Sequence, residues 1–258
     1  MEIIHIIAIV LCLFVGLSLG LLGGGGSVLM VPIFVYVAKV SINEAIAMSL
    51  IIVGISSAVG SYKYYRQGFV NQRLVVLFVV PGVIAAFLGA RLTQYVSANH
   101  LLFMFGILMA LIALILFKKS SNRTEGLEQV VCRPGLVLSV VAGAVIGLLT
   151  GLLGVGGGFL IVPAIALLMK CSLYTAIGTS LVIISINSLT GFIGHISVIE
   201  LNVPLTAAFL IATVAGAVLG TRFSDKFSIV LLQRTFAILI FGVGLFLAVQ
   251  HFPYGHGA

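Results

Sequence analysis

"GLLGGGGSVLMVP", Gly20 to Pro32, and "GLLGVGGGFLIVP", Gly151 to Pro163, are one motif written twice. Nine of the thirteen positions are identical, and the two copies stand 131 residues apart. Each copy sets a glycine run between two strongly apolar stretches. Glycine inside a helix costs about 1 kcal/mol against alanine, so the run predicts a break between two helical pieces. The repeat continues around the motif in the same register. "AIAMSLII" (Ala45–Ile52) matches "AIGTSLVI" (Ala176–Ile183), "VIAAFLGAR" (Val83–Arg91) matches "VAGAVLGTR" (Val214–Arg222), and Asn71 meets Asn202. One insertion would have destroyed this offset, so the chain is a duplication.

Composition places the duplication in a membrane. Of 258 residues, 61% are hydrophobic and 7% charged, against roughly 25% charged in soluble domains. Apolar runs near twenty residues, the length a bilayer requires, recur along the chain. The first half reads as segments A (3–22), b (27–39), C (44–62), D (72–95) and E (100–117). The second reads as A′ (135–153), b′ (158–169), C′ (174–196), D′ (203–223) and E′ (228–250). The expected fold is an all-α polytopic membrane protein of two tandem homologous repeats, each with a glycine-broken first helix. About eight long spanning helices and two short ones are expected. The units are repeat 1 at 1–118, a cytoplasmic linker at 119–133 and repeat 2 at 134–258. The N-terminal segment lacks a basic region and reads as a first spanning helix, not a cleaved signal.

Lys and Arg concentrate in cytoplasmic loops, and they separate two topologies. If A and b make one crossing, the halves point the same way and the cations divide seven to six. If A and b form a hairpin, the second half is inverted and the division is eleven to two, with Lys39 and Arg91 alone on the minor side. The inverted arrangement is expected, with both termini external. The net charge of +7 does not point to nucleic acid, because "YKYYRQ" (Tyr62–Gln67) reads as a membrane-edge belt. Cys12, Cys132 and Cys171 form no Cys-x-x-Cys and read as small packing residues.

Irregular backbone survives in hydrocarbon only where protein or a water-lined cavity satisfies it. The helix that restarts after each break offers unpaired N–H groups and a partial positive charge. Gly24, Gly25, Gly26 and Ser27, with Gly156, Gly157 and Gly158, are therefore expected to border an anion site at the midplane. The competing use of these glycines is close helix packing. No P-loop lysine follows either run, and no βαβ unit suits a dinucleotide. Ser49, Ser180 and Asn187 are the candidate polar side chains, and Ser56, Ser57, Thr179 and Ser188 lie on the same two segments, C and C′. Arg91 and Arg222 close D and D′ as candidate pathway or gate cations. No carboxylate lies mid-segment, which favours passive or potential-driven anion flow over proton coupling. His195, Glu200 and Glu44 are the remaining groups for proton coupling. An intramembrane aspartyl protease is excluded because Asp225 is the sole aspartate, and no pattern pairs His195 with a serine; the chain reads as no enzyme.

The paired glycine motifs, "AIAMSL" with "AIGTSL", and the "GAR" and "GTR" ends resemble the sulfite exporter TauE/SafE family over residues 5 to 250. The resemblance implies a secondary transporter of small anions, often sulfur oxyanions or organosulfonates such as sulfite, in a bacterial plasma membrane. It implies no cofactor or metal. A small anionic substrate and the lipid bilayer are the expected partners, and a homo-oligomer is compatible with the sequence. An anion channel and a non-transporting membrane scaffold are the alternatives.

Overall fold

The computed structural model describes residues 2–120, 132, 135–154, 157–169, 171–195, 201–224 and 229–251. The linker from 121 to 131 and Arg133, Val155, Gly156, Lys170, Glu200 and Asp225 lie outside the described residues. Among the described residues eight long helices form: α1 (Glu2–Leu22), α3 (Ile42–Arg66), α4 (Gln72–Leu92), α5 (Ala98–Ser120), α6 (Leu136–Leu153), α8 (Leu173–His195), α9 (Val203–Phe223) and α10 (Ile229–Gln250). Among the described residues, α1, α3, α4, α6, α8 and α9 are long and apolar enough to cross a membrane. Helices α5 and α10 reach 23 and 22 residues.

Helix starts are set by repeat-equivalent caps. The Asn71 and Asn202 side chains accept from the N–H groups of Leu74 and Leu205 at 3.1 and 3.2 Å. Ser41 and Ser172 cap α3 and α8, accepting from Glu44 N and Thr175 N at 3.4 and 3.2 Å. Such caps satisfy one of the orphan donors of the first turn.

The sequence between α1 and α3 is a 3-10 turn (Gly25–Leu29), a short α2 (Met30–Pro32) and a π turn (Ile33–Val37). Its counterpart is α7 (Gly158–Pro163) followed by a π turn, Ala164–Leu168. Both π turns follow the motif proline, which has no N–H to give to the carbonyl four residues back. The Gly25–Val37 segment folds back along α1. A Cβ on Gly26 would strike the Val15 carbonyl, and Pro32, Ile33 and Tyr36 share a crevice with Leu11, Phe14 and Val15.

Two sets of three helices emerge from the contact registers. Gly16 and Gly20 of α1 seat against Thr213 and Ala217 of α9, so these two run parallel. Helix α3 runs with them: Glu44 Oε1 accepts from Asn202 N at 3.3 Å, and Lys63 Nζ donates to Thr221 O at 2.7 Å. Helices α4 and α6 run parallel through Phe78, Gly82 and Ala86 against Gly143, Gly147 and Gly151. Helix α8 joins this pair, with Asn71 N on Thr179 Oγ1 at 3.0 Å, Gly82 on Asn187 and Ala90 on Gly194. The two sets oppose each other where α3 crosses α8. Leu50 meets Gly191, Gly54 meets Leu189 and Gly60 meets Leu181. Each helix of a seam comes from a different half of the chain. Small residues let the backbones approach closely there, the usual basis of helix association in lipid.

The cysteine reading is corrected in part. Cys12 is buried as a packing residue, but Cys132 and Cys171 are joined by a disulfide. The bond ties the residues before α6 to the residues after the second π turn. A separation of 39 positions held no sign of it, because the pairing is made by the fold-back of the second short segment.

Candidate functional site at the paired helix breaks

The breaks are built from left-handed backbone that favours glycine. Gly23 and Gly154, one repeat position, close α1 and α6 at φ 71° and 70°. Their N–H groups donate to Leu19 O and Thr150 O, both at 2.9 Å. A left-handed glycine after the last turn is the common helix stop. Gly24 and Gly157 also have positive φ, 122° and 64°. Each break is then fastened to a helix of the other half. Ser180 Oγ donates to Gly23 O at 2.7 Å, and Ser49 Oγ to Gly154 O at 2.5 Å. Each hydroxyl proton is shared with the carbonyl three residues back, Ile177 O or Ile46 O. The expected anion ligands Ser49 and Ser180 therefore spend their one proton on backbone in this conformation.

The two breaks meet. A Cβ on Gly24 would stand 2.5 Å from the Gly158 Cα, and one on Gly158 the same distance from the Gly24 Cα. The Ile184 Cδ1 methyl touches both glycines. Helix starts of both short segments thus face each other with no side chain between them. Gly25, Gly26 and Ser27 are buried here. The Ser27 N–H, expected free, closes the 3-10 turn onto Gly24 O at 3.2 Å, and its hydroxyl donates to the same oxygen at 2.7 Å. Gly26 serves packing against α1. Gly157 seats against Ile146 and Thr150 of α6.

One turn along α8 from Ile184 lie Asn187 and Ser188, the same helix face at i+3 and i+4. Both are fully buried, and neither the Asn187 amide nor the Ser188 hydroxyl has a hydrogen-bond partner. Their repeat equivalents on α3, Ser56 and Ser57, are buried and unpartnered too. The Asn187 amide fills the space left by Gly82 of α4. Leaving a buried polar group unpaired costs about 1–3 kcal/mol, and here the cost falls on matched positions where α3 crosses α8. All four are among the polar residues that the sequence places on C and C′; burial and the missing partners set them apart from the rest. Ser18 of α1 is a further unpartnered hydroxyl and lines the apolar crevice between α1, the Gly25–Val37 segment and α10.

The charged candidates stand apart from this centre. Arg91 is exposed, its guanidinium 5.4 Å from the Phe87 ring centroid. Arg222 is exposed at the end of α9. Helices α4 and α9 run oppositely, so the two arginines occupy opposite ends. Glu44 is half-buried and accepts from Asn202 N at the start of α9. His195 is buried at the last turn of α8, its Nδ1 3.0 Å from Gly191 O. Glu200 and Gly156 lie outside the described residues. Among the described residues no group of three His, Cys, Asp or Glu side chains is placed to hold a metal.

These features define a multi-pass helical membrane protein with a buried polar centre. The sulfite exporter TauE/SafE family model matches residues 8–247, and the chain belongs to that family. A probable membrane transporter protein of Xylella fastidiosa strain Temecula1 is 32% identical over 90% of both chains. The probable membrane transporter YdhB of Bacillus subtilis is 26% identical, over 87% of this chain and 93% of its own. YunE of the same organism, another probable membrane transporter, is 27% identical over 91% and 95%. No solved structure matches the chain. The protein is a membrane transporter by family.

Proposed function

We propose that the chain is a secondary transporter of small anions, sulfur oxyanions or organosulfonates such as sulfite, in a bacterial plasma membrane. The observation that carries this reading is the unpartnered quartet Ser56, Ser57, Asn187 and Ser188, one turn from the meeting of the two breaks. An oxyanion presents several acceptors, and three hydroxyls and one amide are donors without a partner. The helix starts add partial positive charge without a fixed cation. The Gly24–Gly158 contact is a closed state, and separating the two short segments opens the centre to an anion.

The helix directions favour inverted repeats. Helices α1 and α3 run one way and their repeat equivalents α6 and α8 the other. Lys63 reaches Thr221 beside Arg222, in keeping with the eleven-to-two division of cations. The cation-rich end, with Lys63, Arg66, Arg73 and Arg222, faces the cytoplasm, and the start of α1 faces outside. Inverted repeats with broken helices serve alternating access around a fixed site.

Reconstituted proteoliposomes test the reading with labelled sulfite, thiosulfate and methanesulfonate. Saturable flux with counter-transport of label is expected for at least one of them. Flux that never saturates identifies a channel, and no flux for any oxyanion rejects the reading.

A further inference from the structure

His195 holds the least satisfied titratable group among the described residues. Its ring is 3% exposed, and Nε2 has no partner. Nδ1 lies 3.0 Å from Gly191 O. A carbonyl only accepts, so Nδ1 carries the proton and Nε2 presents a bare lone pair. The repeat position of His195 is Tyr64, at the opposite end of the molecule. Tyr64 is fully buried and donates its hydroxyl to Gly20 O of α1 at 3.2 Å. The repeat equivalent of Gly20 is Gly151 at the end of α6, and α6 lies beside α8 here: the Gly151 Cα is 3.5 Å from a Cβ on Gly191. The first half thus sets a donor where the second half sets an imidazole that becomes a donor at Nε2 only on taking a proton.

We propose that His195 is a proton-binding site and that the anion crosses with one proton carried on its Nε2; this rests on the anion-transport reading above. An anion moving between the centre and the end of α8 needs a counter-charge along that low-dielectric stretch. His195 is buried there, seven residues beyond Ser188 and so about 10 Å along the helix, whereas Arg91 and Arg222 are exposed. An imidazole that loads a proton as the anion passes supplies that charge and loses it when both leave. Among the described residues the groups around it are few. Helices α6 and α7 carry no charged or titratable side chain, and α8 adds no charged one. Helix α4, whose Ala90 packs on Gly194, supplies Arg91, and the start of α3 supplies Glu44. These two opposite charges flank the water-facing end through which the proton enters. The step transfers a proton between water and Nε2 and forms no covalent bond. Sequence alone favoured potential-driven flow because no carboxylate lies mid-segment; the buried lone pair of His195 reverses that preference.

The test uses proteoliposomes clamped at zero membrane potential, with thiosulfate and methanesulfonate as probes because both stay ionised. An acid-outside gradient should raise wild-type uptake several-fold. In His195→Tyr, which copies Tyr64, and in His195→Gln, the ratio of uptake with and without the gradient should fall to about one. Wild-type flux indifferent to the gradient, or a variant with the full response, overturns the proposal. A second readout needs no transport. Nitrogen-15 spectra of histidine-labelled protein should show one resonance pair, absent in His195→Tyr, with a bare Nε2 that gains a proton between about pH 8 and pH 5. A His195 neutral across that whole range overturns the proposal even if the anion moves. Wild-type protein that moves neither probe, yet shows this titration, counts against the transport reading and not the proton site.

Discussion

The two halves agree where they build the frame and differ where they meet the centre. Gly23 and Gly154 share a left-handed φ, Asn71 and Asn202 share a cap, and Ser49 and Ser180 each hold the other half's break. At the centre Ser57 and Ser188 still match, but other pairs there and at the mouths diverge: Ser27 corresponds to Gly158, Ser56 to Asn187 and Tyr64 to His195. A duplicated frame needs equal parts on both sides. A pathway joining two different compartments does not, so the unequal positions are where the chemistry is to be sought.

The comparison breaks most readily at the left-handed glycines. Gly23→Leu and Gly154→Leu should each abolish transport and leave little folded protein, because a side chain there meets Ile177 or Ile46 backbone in a disfavoured conformation. Size-exclusion profiles and flux assays check this; if one variant is tolerated, the two frames are not equivalent. Asn187→Leu should cut flux at least tenfold while melting no lower than wild type, since it replaces an unpartnered amide by an apolar side chain of similar size. A large fall in melting temperature with flux retained would make Asn187 a frame residue instead.

A milder comparison concerns the serine fasteners. Ser49→Ala and Ser180→Ala should each cost about 0.5–1.5 kcal/mol, the net worth of a hydrogen bond, and shift the melting temperature by equal amounts. Unequal shifts would show that one break is held more firmly than the other. The smallest effect is expected at the disulfide. The Cys132–Cys171 bond ties the residues before α6 to those after the second π turn, away from the meeting of the two breaks. Non-reducing peptide mapping of alkylated protein should find the two joined, and Cys132→Ser should leave flux nearly unchanged. Two free thiols in freshly lysed, alkylated cells would show that the fold-back of the second short segment stands without the bond.

Much of the frame was written in the sequence. Segment boundaries followed from apolar length, the breaks from glycine, and the duplication from an ungapped offset of 131 residues, because these are local or periodic signals. The site was half legible. Glycine and hydroxyl types near the breaks could be named, yet Ser49 and Ser180 proved to serve the backbone, while Ser56, Ser57 and Ser188 stood beside Asn187 as the unpartnered groups. Composition tells which residues can donate a hydrogen bond; it does not tell which have already spent it.

Sequence by itself determined a membrane-spanning duplication with two broken helices, because burial in lipid and the cost of glycine depend on residue type alone. Tertiary structure decided the pairing of α1 with α9 and of α4 with α6, the meeting of Gly24 with Gly158, the bond between Cys132 and Cys171, and the bare nitrogen of His195. Each of these depends on which segments come together in space, and a contact between elements far apart in sequence leaves no local pattern in either partner.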